Sequence, residues 1–462
     1  MRPMRPAISV IVGVLGVASC ARTQPTASRR EVGDLLEAGG GPADAIAAEQ
    51  DEESRAQIRD RVADLMREPL TLDRALQVAV LNNRSLRATL EELGVAQADL
   101  VQAGLLANPV VAGDLVNSTT GNGLGGGLSL SQSLLSAFLI PARRRLAKAQ
   151  LRFAVVTVAD ATLALVRDVK VAYAEAQAAL ALRDLHQTLV QTAEVASELA
   201  DRQHAAGNIP DLDRELFAAE LDAARLELAE RDLEVKEARE QLNRLLGLWG
   251  PQVDWTLGSA LPSETVVDES LEQLEATGIR QRLDVSAARA NVEAVEYAIK
   301  LRRRGIVPQV DAGPVARNEV GNDAGHEWVI GAELSIEIPI FDPGHADFAR
   351  LRAHLRQAQH ALEQTAIEAR SEIRIHREEL VTASARANYL RQTVLPRRQR
   401  VGQRAIERYN GMLLSAYELL ELRAQQVDAH IGYIEARREY WTARAELERA
   451  VGGRLPHGAD EP

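Results

Sequence analysis

The chain has a single cysteine, few aromatic residues and no surplus of positive charge. Cys20 is the only thiol among 462 residues, so no disulfide forms within the chain and no second cysteine serves as nucleophile or metal ligand. Aromatics make up 3% of the residues, too few for an aromatic-centred globular core. Lys and Arg number 54 against 66 Asp and Glu, a formal net charge of −12. A nucleic-acid partner is not expected, because a phosphate-binding surface needs a basic excess. His345, His354, His360 and His376 share one helical run, but none stands four residues from another as a helical zinc pair requires. No metal site and no cofactor are expected apart from a covalent lipid. No glycine loop opens a helix as a phosphate cradle does, and the glycines between 121 and 127 fall between two extended stretches. With no convergent acid, base or nucleophile, an enzyme is not expected.

What is present begins with an export signal. Arg2 and Arg5 precede a short apolar run, Ala7 to Val17, which is too short to span a membrane as a stable helix. Val17-Ala18-Ser19-Cys20 follows and resembles the bacterial lipobox. It predicts a signal peptide over 1–19 and a lipidated Cys20, with several acyl chains on one residue providing the anchor. The polar stretch up to residue 69 carries Gly39 to Pro42 and an acidic run, Glu49 to Glu53, and reads as a flexible tether.

Beyond the tether the chain repeats. Ser85 to Pro109 aligns without gaps on Asp284 to Pro308, with apolar or alanine positions coinciding at Leu86 and Val285, Leu93 and Val292, Ala96 and Val295, and Leu100 and Ile299. After each proline come an extended stretch, a polar or glycine-rich loop, a second extended stretch and a very long helical run. The strands are expected over about 110–116, 124–134, 310–318 and 327–338. In the last of these, Trp328, Ile330, Ala332, Leu334, Ile336 and Ile338 alternate with Gly331, Glu333, Ser335 and Glu337, one apolar face against one polar face. The first repeat is placed at 70–246, an inter-repeat belt at 247–270, the second repeat at 271–451 and a loose tail at 452–462.

The long runs are expected to start after Pro141 and after Pro343-Gly344, and to turn at about 207–211 and 409–415, with Pro396 as a kink. From Pro141 to Gly207 a continuous helix reaches about 100 Å. Leu212, Leu216, Ala219, Ala223 and Leu226 step by four and three, the seam of an antiparallel coiled coil. Four two-faced strands are too few to close a membrane barrel, and open edges are not tolerated in lipid. Either they form a small soluble sheet, or several chains pool them.

Leu70 to Leu86, LTLDRALQVAVLNNRSL, resembles the opening helix of the TolC family of outer membrane efflux proteins. Ile336 to Gly344, IEIPIFDPG, is similar to the end of that family's last strand, and Arg408 to Leu422 to its second periplasmic turn. The resemblance covers roughly residues 70 to 452. It implies a mainly α fold with a β-barrel portion: a homotrimer in which three chains of four membrane strands make a twelve-stranded barrel, continued by a trimeric α-barrel across the periplasm. It also implies an outer membrane exit duct that receives drugs, metals or other small molecules from an inner-membrane pump, of RND type, through a periplasmic adaptor (membrane fusion protein).

Within that frame Glu333, Ser335 and Glu337 face the lumen and the alternating apolar residues face outer membrane lipid. Glu418 and Glu421 match paired acidic positions near the tip, where threefold symmetry makes each a ring of carboxylates acting as a periplasmic gate. Asp211 and Asp213 are further gate candidates, and helix capping explains all four as well. Tyr409 and Tyr417 stand where they either bond neighbouring tip helices or simply pack. The runs Arg143 to Arg145 and Arg302 to Arg304 are either solvated faces or contacts with anionic headgroups. A different class also fits the helices: a periplasmic coiled-coil adaptor or structural lipoprotein without a pore.

Overall fold

Two runs of helix, strand, strand and helix follow one another along the chain. The computed structural model describes residues 26–43, 52–117, 124–258, 271–305, 309–320, 326–338 and 340–455. The signal segment and Cys20 lie outside them. In chain order the helices are α1 (Thr26–Ala38), α2 (Glu52–Leu65), α3 (Leu72–Asn82) and α4 (Arg84–Ala103), followed by strands β1 (Val110–Asn117) and β2 (Leu124–Ser133). Then come α5 (Leu134–Ala205), α6 (Asp211–Leu246), α7 (Leu271–Gln281) and α8 (Leu283–Arg304), strands β3 (Gln309–Val320) and β4 (His326–Glu337), and α9 (His345–Tyr389), α10 (Leu395–Asn410) and α11 (Ala416–Val451). The chain divides into two units, one holding Glu91–Ala154 and Ala290–Gln359 with the N-terminal segment, the other Arg29–Leu90, Val155–Arg289 and His360–Pro462.

The first unit is built around an antiparallel sheet of order β1-β2-β3-β4. Pro314 lies inside β3, and the β2–β3 pairing skips Leu130 and Ser131, opposite Pro314 and Gly313, as a residue without an N–H dictates. A side chain at Gly313 would collide with the Leu130 carbonyl, so the two backbones approach there only because position 313 is glycine. Helix α5 starts at Leu134, earlier than the expected start after Pro141. The β2–β3 ladder ends at Ser133 opposite Asp311, and Ser136 Oγ donates to the Ser133 carbonyl at 2.7 Å where the helix opens.

The second unit is helical, and its joints are polar. Thr71 Oγ1 accepts from the Arg74 amide at 3.4 Å and caps α3. At the other end, Asn82 Nδ2 donates to the carbonyls of Leu246 and Gly247 at 3.0 and 2.8 Å, and Asn83 Nδ2 donates to that of Leu245 at 2.9 Å. Those carbonyls end α6 and have no partner within the helix. Gly247 turns the chain at φ 68°, and a Cβ there would sit 2.5 Å from the Asn82 carbonyl. The second repeat builds the same joint from other residues. Arg282, which aligns with Asn83, donates from Nη1 to the Ala450 carbonyl at 3.2 Å at the end of α11, and Gly452 turns at φ 82°. Leu274, Ile373, Leu380, Tyr440 and Leu447 pack around it as one core.

The stretch 20–69 departs from the expected tether. Its described part forms α1 and α2, and Val32 and Leu36, one turn apart on α1, are fully buried. Two such side chains contribute about 2 kcal/mol each, enough to fix a short helix. Gly39 and Gly41 lie against Leu163 of α5, and Gly40 against the Arg454 side chain. The beginning of the expected loose tail is accordingly packed, with Leu455 buried. The belt carries a 3-10 turn, Gly250–Val253, and a parallel bridge from Leu257 to Leu70. Trp255 anchors it: its Nε1 donates to Asn243 Oδ1 at 2.9 Å, and Arg239 stacks over its ring at 4.4 Å.

The expected coiled-coil seam is not the stripe covered among the described residues. Leu212 and Leu226 of the expected stripe are 69% and 70% exposed, and Leu216 and Leu233 are exposed too. Phe217, Leu221, Ala224 and Leu228 are the partly buried stripe. Helix α6 therefore carries two apolar stripes, and within one chain only the second is covered. Before Pro396 a π-helical turn, Leu390–Val394, widens the helix where the proline supplies no donor, and α10 continues from Leu395.

Candidate functional site

Directly opposed residues of an antiparallel pair share one face, so the registers sort every strand position. Glu333, Ser335 and Glu337 of β4 oppose Gly313, Asp311 and Gln309 of β3. Asp311 in turn opposes Ser133, Val315 opposes Ser129, and Arg317 opposes Gly127, which faces Asp114 of β1. One face of the sheet thus collects Glu333, Ser335, Glu337, Asp311, Ser129, Ser133, Asp114 and Arg317. The three pore candidates stand together on it, in the company of residues from all four strands.

The other face is apolar. It carries Trp328, Ile330, Leu334 and Ile336 of β4, Val310 and Ala312 of β3, Leu128 and Leu130 of β2, and Val111 and Leu115 of β1. Ile330 is 81% exposed and Leu115 87%. Among the described residues nothing covers these side chains. Gln132 and Asn318 are polar residues on it, and Gln132 Nε2 donates to the Ala107 carbonyl at 2.8 Å.

The gate candidates sit on two helices. Asp211 and Asp213 occupy the first turn of α6, but the N-cap is Pro210, so neither aspartate caps the helix as expected. Their charge instead meets the positive end of the helix dipole. Asp211 binds Arg214 at 2.8 Å and lies 3.7 Å from His204 Nε2. The turn before α6 passes through Gly207 at φ 77°. In the second turn the left-handed position falls on Met412, at φ 60°, one residue after Gly411.

Glu418 closes a capping box at the start of α11. Its amide donates to Ser415 Oγ at 3.2 Å, while its carboxylate accepts from the Ser415 amide at 3.0 Å and from the Ser415 hydroxyl at 2.8 Å. These bonds, the backbone one foremost, hold its carboxyl below the usual range. Glu421, one turn further on, accepts from Gln425 Nε2 at 2.9 Å and is exposed. Tyr417 is exposed and Tyr409 partly buried. Among the described residues no three His, Cys, Asp or Glu side chains come together as a metal site.

Sequence reasoning passed over Asn82, Asn83 and Arg282, which hold the repeat joints. Arg282 is nearly enclosed, its side chain 6% exposed, and binds Asp284 at 2.6 Å and Glu372 at 2.5 Å. Burial acts to raise the Asp284 carboxyl, but the Arg282 hydrogen bonds and charge outweigh it and the carboxyl lies below its ordinary value. The only signal for this joint was the repeat itself, which aligns Asn83 with Arg282.

The family described as outer membrane efflux protein matches residues 75–248 and 278–453, one stretch for each repeat. The cobalt-zinc-cadmium resistance protein CzcC of Cupriavidus metallidurans is 25% identical over 394 residues, spanning 83% of this chain and 90% of that protein. A membrane protein from Pseudomonas aeruginosa has a TM-score of 0.69 at 20% identity, over 82% of this chain and 93% of its own. The CmeC outer membrane channel of Campylobacter jejuni also scores 0.69, at 16% identity over 87% of each chain. Both structures share this fold.

Proposed function

Because this chain belongs to the outer membrane efflux protein family, we propose that it is the exit duct of a tripartite efflux assembly. The protein resides in the outer membrane, and its relatives are efflux channels. The observation that carries the finer reading is the four-stranded sheet, with β1 and β4 as open edges and an apolar face left bare. Unpaired backbone groups cost several kcal/mol each in lipid. Three copies joined edge to edge, β1 to the next β4, close twelve strands with the apolar face outward and Glu333, Ser335, Glu337 and Asp311 lining water. The uncovered stripe of α6, Leu212 to Leu233, supports the same trimer, since it supplies a seam that one chain does not use.

Lipidation of Cys20 anchors each copy. A periplasmic adaptor and an inner-membrane pump of RND type deliver cargo to the helical tips. At the second tip Glu421 is the ring residue best suited to gating, since Glu418 is committed to its capping box. The name of the Cupriavidus relative makes cobalt, zinc and cadmium ions the first cargo to test, and carboxylates along the route suit cations. Deleting the gene in its host should lower resistance to these metals, and the gene on a plasmid should restore it. Unchanged resistance to metals and drugs alike would refute the exit-duct reading.

A further inference from the structure

The two arginine runs of the sequence do not act as blocks. Arg302 is committed within the fold: its Nε lies 3.0 Å from Asp347, and its guanidinium packs under Gly344, whose φ of 85° turns the chain after β4. Arg303 and Arg304 are left exposed, and together with Lys300 of the same helix α8 they face Arg145 of α5 across a groove of about 220 Å³ that Tyr297 also lines. Lys300 sits 4.8 Å over the Tyr297 ring and 3.5 Å from Glu296. Among the described residues no carboxylate pairs with Arg145, Arg303 or Arg304. Cations at the end of α8 complement its dipole, but that does not bring Arg145 from a second helix to the same groove. Gathering like charges without an anion is unfavourable, and a basic cleft concentrates anions.

What surrounds the groove identifies the anion. Arg145 lies seven residues after Phe138 on α5, hence on the same stripe and about 10 Å along the axis. Phe138 is 80% exposed, five residues past the last pair of the β2–β3 ladder. Ile338, Ile340 and Phe341, just beyond the end of β4, are exposed as well. An aromatic facing acyl chains and a cation facing headgroups, in that order from the strands, is the arrangement of a lipid boundary. We infer that Arg145, Lys300, Arg303 and Arg304 form a binding site for the phosphate of a membrane lipid whose acyl chains lie against Phe138. The inference rests on the strands entering lipid, as proposed above.

The test uses the full chain purified in a neutral detergent and exchanged into mixed micelles of phosphatidylglycerol and phosphatidylcholine, with bound lipid counted by native mass spectrometry. Wild type should retain phosphatidylglycerol in preference, and Arg145→Gln/Arg303→Gln/Arg304→Gln should lose the preference about tenfold or more. Arg145→Lys/Arg303→Lys/Arg304→Lys should keep it, and so should Arg143→Gln/Arg144→Gln, whose arginines do not line the groove. Phe138→Ser should weaken lipid retention. Equal retention by the triple glutamine variant, or equal loss in the Arg143/Arg144 control, overturns the site. Displacement of phosphatidylglycerol by equimolar inorganic phosphate overturns the lipid as its occupant. Helical circular dichroism checks folding of every variant. Conductance is not the readout, so a chain that conducts but shows no lipid preference fails here and leaves the exit-duct reading standing.

Discussion

Replacing Arg282 by methionine keeps the aliphatic stem of the side chain and removes the guanidinium from the joint at the end of α11. The change leaves Asp284 and Glu372 without their cation, and the Ala450 carbonyl without its donor. Breaking a buried ion pair from one side costs roughly 3–5 kcal/mol. The Glu372 side chain is 47% exposed, so water recovers much of its share and the lower end, about 3 kcal/mol, is the expected cost. Its first-repeat counterpart Asn83→Ala removes two hydrogen bonds, the one Oδ1 accepts from the Leu86 amide at 2.9 Å and the one Nδ2 donates to the Leu245 carbonyl at 2.9 Å; the second, at the end of α6, is worth about 1 kcal/mol. Amide hydrogen exchange reads both joints locally. At the end of α11 the amides of Gly452 and Gly453, bonded to Arg449 and Glu448, should lose about a hundredfold of protection in Arg282→Met. At the end of α6 the amides of Gly247 and Leu248, bonded to Arg244 and Asn243, should lose about fivefold in Asn83→Ala. Protection in Arg282→Met within about threefold of wild type would show that the charge cluster does not hold the joint.

Gly247→Ala should cost about 2–3 kcal/mol, from the left-handed backbone and from displacement of the Asn82 hydrogen bonds, and it should show as a lower melting temperature. Asp284 contributes stability that is complete above its ordinary pKa of 3.8 and is lost as pH falls toward its lower folded value. Asp160, raised by burial against the pull of Arg449, has the opposite sign, its contribution fading as pH rises through the raised value. Asp284→Asn should therefore flatten the acid side of a plot of melting temperature against pH, and an unchanged acid limb would count against the assignment. Leu226→Glu with Leu233→Glu lies on the uncovered stripe of α6; it should leave the helical circular dichroism intact while removing the three-chain species in analytical ultracentrifugation.

How much of this was legible in the sequence depended on where each signal's partner lay. The alternation from Trp328 to Ile336 and the repeat that matches Pro109 with Pro308 are local patterns, and they led to all four strands and to the family. The face shared by Glu333 and Asp311 needed the register, which Pro314 and Gly313 fix only once β2 is alongside. The stripe at Leu212 and Leu226 was a true apolar period without a named neighbour, because α6 carries two such stripes and sequence does not say which one its own chain covers. The joints at Asn82, Asn83 and Arg282 stayed hidden because their partner carbonyls lie more than 160 residues away. Val32 and Leu36 were overlooked because the glycines that follow them read as a linker, when they are the small residues that let α1 end against Leu163.

The central claim is that three chains close a water-filled pore through the outer membrane, and ion current through the purified full-length protein in a planar lipid bilayer tests it most directly. The account predicts discrete conductance steps with a preference for cations, which Glu333→Gln with Glu337→Gln diminishes while the steps remain. A protein that inserts and stays folded but passes no current, with the tip carboxylates Glu418 and Glu421 intact or replaced by alanine, would contradict it.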